Sequence, residues 1–545
     1  MSLQPRSPLW AVLGASLWMA LACNAALWRE LDRLGVFGSA KGWAFGLALL
    51  MMVTAALGGL LSLLAWRWTL KPAISVAVVL SALASHFMLS YHVVIDPRMV
   101  ENVLQTDLHE AGALLNLRLA GMLLLLALPP LWLVWAQPLK HGGMRRQVLR
   151  NGTTLAAAAL LLVVLVLASF QPLASITRSH KALRYLINPL NTLYGLAYVG
   201  TQPWRRDDST LVVVGQDARL GDSHPGRTRP PLLLLVLGET ARSGNFGING
   251  YERQTTPELA LEQVASFRNA WSCGTNTAVS VPCMFSNLTQ QHFGDRKTQF
   301  EGLLDVLQRA GFAVLWLDNQ SGCKGVCDRI PTVSTTRSAD AELCAGGDCL
   351  DSVMLKGLDQ RVAALPAERR ARGVVLVMHQ MGSHGPAYHL RSPATHKRFM
   401  PECTSSALQD CSSEGLTNAY DNSIAYTDHF LARSIAWLKA QQDWADPALV
   451  YVADHGESLG ENNLYLHGLP YAIAPDVQKR IPWITWLSTQ YSRVTRLSVQ
   501  CLKAQSDHRL SHDSYFHSVL GLMDVATSAY RYDLDAYAAC RADIR

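Results

Sequence analysis

The sequence is poor in charged residues. Only 17% of its 545 residues are Asp, Glu, Lys or Arg, whereas a soluble globular domain has about 25%. Hydrophobic residues make up 49% of the chain. This composition excludes a disordered chain, which needs few apolar residues and a high net charge. It indicates a protein that is partly embedded in a membrane.

A basic surface for nucleic acid is missing from most of the chain. Residues 1–202 hold 15 Lys and Arg against 6 Asp and Glu, and the remaining residues hold 33 against 36. The formal net charge of +6 therefore comes from the N-terminal part. Because a nucleic-acid-binding domain needs a concentrated basic face, we expect no nucleic-acid partner.

No two cysteines are separated by just two residues, the spacing typical of structural zinc sites. Ten of the eleven cysteines lie beyond residue 270. Their even number and close spacing predict disulfides in an oxidising compartment, with a zinc cluster as the alternative. The expected pairs are Cys273–Cys283, Cys323–Cys327, Cys344–Cys349, Cys403–Cys411 and, by elimination, Cys501–Cys540. Cys23 lies in an apolar run and is expected to remain a thiol.

Five apolar runs are long enough to cross the hydrocarbon core of a membrane, which takes about 20 helical residues. They lie near residues 8–27, 43–65, 73–94, 119–136 and 153–170. The first run could instead be a cleaved signal peptide, because Ala-Cys-Asn-Ala at residues 22–25 resembles a cleavage site. We interpret residues 1–171 as a transmembrane domain of five helices.

The charges of the connecting loops indicate an orientation. With the N-terminus in the cytoplasm, the cytoplasmic side holds seven basic residues and no acidic ones, and the opposite side holds five basic residues beside six acidic ones. This small excess agrees with the positive-inside rule. Five spans would then place the C-terminal part, with its cysteines, outside the cytoplasm.

Residues 172–230 are predicted to connect the two parts. Residues 171–201 mix aromatic and polar positions, which is typical of a helix that lies on the membrane surface. An ordinary connecting helix is the alternative. Residues 202–231 are rich in Arg, Asp, Gly and Pro, which predicts a linker.

Residues 231–545 alternate short apolar runs with helical patterns, as βα units do. The runs are residues 232–237, 313–317, 374–378, 449–453 and 483–487. Such continuous apolar runs predict a largely parallel sheet with helices on both faces. We therefore expect a C-terminal α/β/α domain.

Polar side chains follow four of these runs. They are Glu239, Asp318, His379 with His384, and Asp454 with His455. Taken singly, each would be interpreted as a helix cap or a structural histidine. Ligands, however, bind outside the carboxyl ends of parallel strands, and carboxylate oxygen with imidazole nitrogen suits zinc. The shared position therefore predicts a catalytic metal site.

Three longer motifs carry a specific resemblance. They are Gly-Glu-Thr-Ala-Arg at 238–242, Cys-Gly-Thr-Asn-Thr-Ala-Val-Ser-Val-Pro-Cys-Met-Phe-Ser at 273–286, and Ala-Asp-His-Gly-Glu-Ser-Leu-Gly-Glu-Asn at 453–462. With the five apolar runs, they resemble the bacterial phosphoethanolamine transferases, and more closely those that modify lipid A. The resemblance spans nearly the whole chain. It implies a multi-pass inner-membrane protein, expected to be a monomer, whose periplasmic catalytic domain has the alkaline-phosphatase and sulfatase fold.

The resemblance also implies a nucleophile. Thr277 would sit on zinc, with Glu239, Asp454 and His455 as the remaining ligands. A free hydroxyl is a poor nucleophile near neutral pH, and coordination to a metal lowers its pKa. Thr277 also precedes an expected helix start, where free backbone N–H groups favour a phosphate. A threonine that merely caps this helix is the alternative.

Five more residues match family positions that engage substrate. Lys324, His384 and His467 are implied to bind the donor phosphate or to protonate a leaving oxygen, and a second zinc at these positions stays open. Asn102 and Glu110 are implied to engage the lipid substrate. Ordinary loop residues with backbone partners are the alternative for the first three, and a solvated loop face is the alternative for Asn102 and Glu110.

The implied reaction transfers phosphoethanolamine from phosphatidylethanolamine to a lipid A phosphate through a covalent intermediate on Thr277. The product would carry less negative charge and would bind polymyxin and other cationic peptides more weakly. Another envelope glycan as acceptor is the alternative. A sulfatase is disfavoured because Ser-Val-Pro-Cys-Met at 280–284 lacks the arginine of the sulfatase motif. A transporter is disfavoured because the apolar runs hold almost no ionisable residues.

Overall fold

The computed structural model describes residues 4–105, 112, 114–205, 207–344 and 348–542. The chain forms two compact units, which are described separately. The N-terminal unit comprises residues up to Val103 together with Leu115–Gly200, and the main part of the C-terminal unit begins at Thr201. The domain limits given above stay a prediction.

The N-terminal unit is helical. Its described helices are Pro8–Leu21, Ala25–Arg33, Ala40–Leu63, Leu70–Ser90, Pro97–Gln105, Leu117–Leu126, Leu128–Ala136, Met144–Ala168, Phe170–Ser179 and Leu190–Gly200. Within the described residues, four helical segments are long and apolar enough to span a membrane, or five if the bent pair at the N-terminus forms one span. The predicted apolar runs all fall on these segments.

The first span is interrupted where the sequence predicted one continuous helix over residues 8–27. The helices Pro8–Leu21 and Ala25–Arg33 meet at an angle of 42°. Asn24 lies at the break, where its side-chain amide donates to the Met19 carbonyl at 2.9 Å. Side-chain bonds of this kind compete with the helical hydrogen-bond ladder, so the helix ends here and restarts.

A buried polar contact holds this break in place. The side-chain oxygen of Asn24 accepts from the backbone N–H of Asn188 at 2.8 Å. The Asn188 side chain donates to the carbonyl oxygens of Cys23 at 3.0 Å and Ser81 at 2.7 Å. The pair therefore ties the broken first span to the helix Leu70–Ser90.

The last span is longer than its apolar run. The run begins near residue 153, whereas the helix begins at Met144 and continues to Ala168. Residues 144–150 contain three arginines. These residues are good helix formers, so the helix extends beyond the apolar stretch that revealed it.

The C-terminal unit has fourteen described strands, eight of which form one mixed sheet. Its strands are β1 Asp207–Val212, β2 Arg219–Leu220, β3 Pro231–Gly238, β4 Ala265–Trp271, β5 Thr298–Phe300, β6 Ala313–Asp318, β7 Thr332–Ser334, β8 Val374–His379, β9 Asp446–Ala453, β10 Ser458–Leu459, β11 Tyr465–Leu466, β12 Arg480–Leu487, β13 Leu510–Ser511 and β14 Val525–Ala526. The order in the main sheet is β13-β4-β12-β9-β3-β8-β6-β7. Strands β9, β3, β8, β6 and β7 are mutually parallel where they pair.

Strand β12 departs from the predicted parallel arrangement. The apolar run 483–487 lies in this strand, which runs antiparallel to both β4 and β9. An apolar run reports that both faces of a strand are covered and carries no information on its direction. The sequence also did not reveal β4, because its residues alternate between buried and partly exposed positions.

Helices cover the sheet. The described α-helices of this unit are Gln202–Arg205, Pro257–Leu261, Thr277–Met284, Gln290–Asp295, Leu303–Arg309, Leu358–Ala363, Ala367–Arg370, Ser413–Ala440, Thr489–Thr495, Val499–Ala504 and Tyr515–Leu522. Every residue of β3, β6, β8 and β9 is buried. Both faces of these strands are therefore packed, as in the predicted α/β/α fold.

Short strands and disulfides complete the unit. Strand β1 pairs with β5, and β2 pairs with β14, so residues 202–231 contain strand structure where the sequence predicted a linker. The structure joins the cysteines in the five expected pairs. Cys23 is a buried free thiol.

Candidate active and metal site

The strand order brings the candidate ligands together. Strand β3 lies between β8 and β9 and is parallel to both, with Leu237 opposite His379 and Gly238 opposite Ala453. Glu239 and Asp454, which follow β3 and β9, therefore leave the sheet at the same edge. Carboxyl ends of parallel strands are the usual place for a ligand.

Thr277 reaches this edge from a separate helix. It is the first residue of the helix Thr277–Met284, and the side chain of Asn276 caps that helix by accepting from the Val279 N–H at 3.0 Å. The disulfide between Cys273 and Cys283 links the preceding turn to the helix. Capping and cross-linking fix the backbone on both sides of the threonine.

The Thr277 hydroxyl lies among the three candidate ligands. Its Oγ1 donates to Glu239, with 3.1 Å to Oε1 and 3.2 Å to Oε2, and lies 3.4 Å from His455 Nε2. His455 Nε2 is 3.4 Å from Glu239 Oε1 and 3.3 Å from Asp454 Oδ2. Ligand atoms of Glu239, Asp454 and His455 all lie within 4.8 Å of one another, and all four side chains are buried.

The residues present fit a metal ion. Asp454 Oδ1 accepts from the backbone N–H groups of Thr240 at 3.0 Å and His455 at 2.7 Å. Asp454 Oδ2 is buried and has no hydrogen-bond partner among the described residues. A buried carboxylate oxygen without a partner is costly, and a cation at this position would satisfy it. Two carboxylates and one imidazole are ligands that suit zinc.

The pKa shifts of Glu239, Asp454 and His455 also fit a cation at this site. Burial raises the pKa of Asp454, and the charge of Glu239 raises it further. Burial also acts to raise the pKa of Glu239, but the hydrogen bond and charge of His455 hold this pKa well below its usual range. Burial alone would lower the pKa of His455, yet the two carboxylates raise it to about 9. A metal ion would replace the His455 proton as the positive charge between the carboxylates.

A second layer of buried side chains supports Glu239. The side-chain amide of Gln320 donates to Glu239 Oε2 at 3.0 Å. His379 Nε2 lies 4.0 Å from the same oxygen, and its Nδ1 lies 3.2 Å from Asp318 Oδ2. Trp316 donates to Asp318 at 2.7 Å. Partners of this kind fix the orientation of a ligand.

Two further predicted residues lie beside the cluster. The ring of His467 is 4.2 Å from the ring of His455 and His384 is 5.7 Å from His467, between centroids. His467 Nδ1 lies 3.3 Å from Glu457 Oε2, which also accepts from the Tyr388 hydroxyl at 2.9 Å. The structure thus brings three imidazoles together at one side of the candidate ligands.

The other predicted residues have different surroundings. Lys324 donates to the carbonyl oxygen of Ser321 at 3.2 Å and to its hydroxyl at 2.9 Å. Asn102 lies on the helix Pro97–Gln105 of the N-terminal unit. Glu110 lies outside the described residues.

His512 was not singled out from the sequence, although it links the motifs at residues 273–286 and 453–462. Its Nδ1 accepts from the Cys273 N–H at 3.0 Å, and its Nε2 donates to the Ala453 carbonyl at 2.9 Å. Burial lowers the pKa of His512 to about 4, so the ring is neutral and can serve both partners. It follows a strand of only two residues, which leaves no hydrophobic pattern to mark it.

Comparisons with known proteins agree along the chain. A family model described as Phosphoethanolamine transferase EptA/EptB matches residues 53–203, and one described as Sulfatase matches residues 231–525. Phosphoethanolamine transferase EptA of Escherichia coli (strain K12) is 36% identical over 98% of this chain and 96% of its own length. The chain belongs to the phosphoethanolamine transferases.

Two other relatives support the assignment. Phosphatidylethanolamine transferase Mcr-1 of Escherichia coli is 34% identical over 95% of both chains. The structure of the integral membrane protein lipooligosaccharide phosphoethanolamine transferase A from Neisseria meningitidis matches with a TM-score of 0.91 and 32% identity, over 98% of this chain and 99% of that one. The predicted family, fold class and enzyme type are confirmed. The N-terminal region spans the membrane, and the C-terminal domain is of the periplasmic type.

Proposed function

We propose that this transferase moves phosphoethanolamine from phosphatidylethanolamine to a lipid A phosphate through a covalent intermediate on Thr277. The observation that carries this proposal is the position of the Thr277 hydroxyl, 3.1 Å from Glu239 and 3.4 Å from His455 in a buried cluster. A hydroxyl held among metal-type ligands is arranged to act as a nucleophile. The names of two relatives support an acceptor that contains lipid A, since each is named Kdo(2)-lipid A phosphoethanolamine 7''-transferase.

Zinc is the proposed cofactor, held by Glu239, Thr277, Asp454 and His455. When bound, the ion would lower the pKa of the Thr277 hydroxyl and offset negative charge on the phosphoryl oxygens. One ion is proposed, and His384 and His467 are assigned to the substrate phosphate. Asp454 Oδ2 supports the proposal, because it accepts no hydrogen bond from the described residues and lies 3.3 Å from His455 Nε2, another candidate ligand atom.

In the first displacement, Thr277 Oγ1 attacks the phosphorus of phosphatidylethanolamine. Glu239 accepts the hydrogen bond of the hydroxyl at 3.1 Å and so orients Oγ1, and the hydroxyl proton is released to solvent. A bond forms between Oγ1 and phosphorus while the bond from phosphorus to the diacylglycerol oxygen breaks. That oxygen takes a proton from His384 or His467, diacylglycerol leaves, and the histidine regains a proton from solvent.

In the second displacement, an oxygen of the lipid A phosphate attacks the phosphorus of the intermediate. The bond between phosphorus and Oγ1 breaks, and Oγ1 takes a proton from solvent. Lys324 offers a positive charge for the phosphoryl oxygens, and Asn102 and Glu110 are proposed to engage the lipid. The attack and departure in each step lie in line, as in other phosphoryl transfers.

The consequence for the cell follows from charge. Each added ethanolamine brings a positive group next to a lipid A phosphate, so the outer membrane binds cationic peptides such as polymyxin more weakly. The proposed orientation has the N-terminus in the cytoplasm and the active site in the periplasm. The enzyme is proposed to act as a monomer.

Mass spectrometry of lipid A tests this proposal. We expect a mass gain of one phosphoethanolamine in polymyxin-sensitive cells that express the wild type, and no gain with Thr277→Ala. Thr275→Ala is a matched control, because Thr275 is also buried in this turn but donates to the Leu469 carbonyl at 2.6 Å. Unmodified lipid A beside folded, zinc-loaded wild type would contradict the acceptor, and modification of another glycan would identify it.

A further inference from the structure

A polar cavity of about 570 Å³ opens at the edge of the main sheet, at the carboxyl ends of β6 and β7. We call it the β6–β7 cavity; residues 320–321, 334–338 and Arg361 line it. Five of its eight lining residues carry hydroxyls, two are arginines and one is a glutamine. None of the eight is acidic, so the cavity has a positive charge and many hydrogen-bond donors.

The cavity lies at the same edge as the Thr277 cluster. Strand β6 is parallel to β8, and β8 is parallel to β3, so the residues after β6 and β7 emerge on the side where Glu239 follows β3. Gln320 belongs to both places, because it lines the cavity and donates to Glu239 Oε2 at 3.0 Å. Ser321, the next lining residue, accepts from Lys324 at 2.9 Å.

The two arginines are placed differently. Arg361 is partly buried and is held in position by a hydrogen bond from its guanidinium to the Met354 carbonyl at 3.2 Å. Arg337 is exposed, and its guanidinium makes no hydrogen bond or ion pair with any residue that the structure describes. A guanidinium fork binds phosphate oxygens with two parallel hydrogen bonds. Arg337 therefore has its donors available for an anionic ligand.

The hydroxyls of the β6–β7 cavity add hydrogen-bonding groups that suit a sugar. Thr335 is buried and donates to the Asp318 carbonyl at 3.1 Å, which anchors the turn after β7. The Ser334 and Thr336 hydroxyls are hydrogen-bonded to each other at 3.0 Å, so one O–H donor and the remaining lone pairs are left for a ligand. Several hydroxyls beside two guanidinium groups suit a phosphorylated sugar better than an apolar ligand.

We propose that the β6–β7 cavity binds the phosphorylated sugar headgroup of the acceptor, next to the phosphorus that Thr277 carries. This inference rests on the proposed function and deepens it. The donor headgroup also contains a phosphate, and the same guanidinium groups would recognise it. The experiment distinguishes donor from acceptor by whether a change in the cavity slows cleavage of the donor or transfer to the acceptor.

The test uses full-length, zinc-loaded enzyme and measures the two half-reactions separately. Diacylglycerol release from phosphatidylethanolamine without acceptor reports the first displacement, and the rate of transfer against lipid A concentration reports the second. The variants are Arg337→Ala, Arg337→Glu and Arg361→Gln. Arg337 is exposed, so we expect its variants to keep the fold. The Arg361 variant loses the hydrogen bond to Met354 and is less certain to fold, so the Arg337 variants decide the test. Arg493→Ala is the matched control, since Arg493 is exposed on the helix after β12, several strands away.

We expect Arg337→Ala to raise the KM for lipid A by at least ~10-fold, with a larger rise for Arg337→Glu. Diacylglycerol release should stay at the wild-type rate in both variants. Equal slowing of the two half-reactions would overturn the inference and assign the cavity to the donor phosphate. An unchanged KM for lipid A in both Arg337 variants would overturn it as well.

The wild type separates this inference from the function on which it rests. Absence of diacylglycerol release by the wild type would refute the covalent mechanism. Diacylglycerol release without transfer to lipid A would refute the acceptor, and with it the occupant assigned to the cavity.

Discussion

The last long helix of the N-terminal unit and a central strand of the C-terminal domain bury opposite kinds of side chain. Of the helix Met144–Ala168, only the polar residues Gln147 and Asn151 are buried, while Leu160 and Leu167 are 67% and 70% exposed. In the C-terminal domain, all eight residues of β3 are buried, and the run is almost entirely apolar. A helix that exposes its apolar side chains is built for a lipid environment, whereas a strand that hides them is built for water.

The difference teaches how to interpret a buried polar group in each unit. Among lipid-facing helices, the buried contact of Asn24 and Asn188 holds backbone segments together. In the C-terminal domain, the buried carboxylates Glu239 and Asp454 lie where apolar strands end. We therefore expect loss of the Asn24 contact to reduce stability, and loss of Glu239 or Asp454 to reduce chemistry.

The largest expected effect compares the two ends of strand β9. Asp454 follows the strand and Asp446 begins it, and both are buried carboxylates with a partnerless oxygen among the described residues. Asp454→Asn should lower zinc content and reduce the transfer rate by at least ~100-fold, because even changes to partners of metal ligands cost 10–100-fold. Asp446→Asn should leave both unchanged. Zinc analysis of purified protein and a transfer assay measure this, and equal zinc loss in both variants would contradict the assignment.

The next largest effect compares a leucine-to-alanine substitution in the two units. Leu235 is fully buried in β3, and Leu160 is exposed on the last long helix of the N-terminal unit. Leu235→Ala should lower the free energy of unfolding of the C-terminal domain by about 2–5 kcal/mol, because it leaves a cavity in a packed core. Leu160→Ala should cost less than ~0.5 kcal/mol. Thermal unfolding in detergent compares the two, and a large cost at Leu160 would show that this side chain packs against protein.

A smaller effect tests the polar contact inside the N-terminal unit. Asn24→Ala leaves the Asn188 N–H and nearby carbonyl oxygens without partners, so it should destabilise the unit by about 1–3 kcal/mol. Asn191→Ala is the control, because the Asn191 side-chain amide donates to the Arg184 carbonyl oxygen at an exposed position. Zinc content should be unchanged in both. If Asn24→Ala lost zinc but kept its thermal stability, the result would contradict the expected difference between the two units.

The smallest effect concerns a buried group of the C-terminal domain away from the strand ends. Burial, helped by Arg531, lowers the pKa of His517 to about 4. The ring stays neutral in the fold while an unfolded histidine, with a pKa near 6.5, gains a proton. Its contribution to stability is therefore complete above pH 6.5 and is lost as the pH falls toward 4.

Between pH 7.5 and 5.5, this linkage removes about 1 kcal/mol. Unfolding by denaturant at both pH values measures it, and His517→Gln should reduce the change by that amount. A variant with the same pH dependence as the wild type would show that His517 does not contribute to it.

Much of this architecture could be predicted from the sequence, for identifiable reasons. Continuous apolar runs reveal buried strands and spans, and the polar residue that ends each run marks the active edge, as Glu239 does after β3. Direction is not encoded in such runs, so the antiparallel β12 was grouped with the parallel strands. The break at Asn24 and the bridge by His512 depend on partners more than 50 residues away, which no local pattern reports. The β6–β7 cavity arises from strands and a helix that are also separated along the chain.

The central claim is that Thr277 carries the phosphoethanolamine group between donor and acceptor. Its most direct test is intact-protein mass spectrometry after zinc-loaded enzyme is mixed with phosphatidylethanolamine in the absence of acceptor, followed by peptide mapping. The account predicts a mass gain of one phosphoethanolamine, located on Thr277, absent from Thr277→Ala and removed when lipid A is added. Transfer to lipid A at the wild-type rate by Thr277→Ala, or an adduct on a different residue, would contradict it.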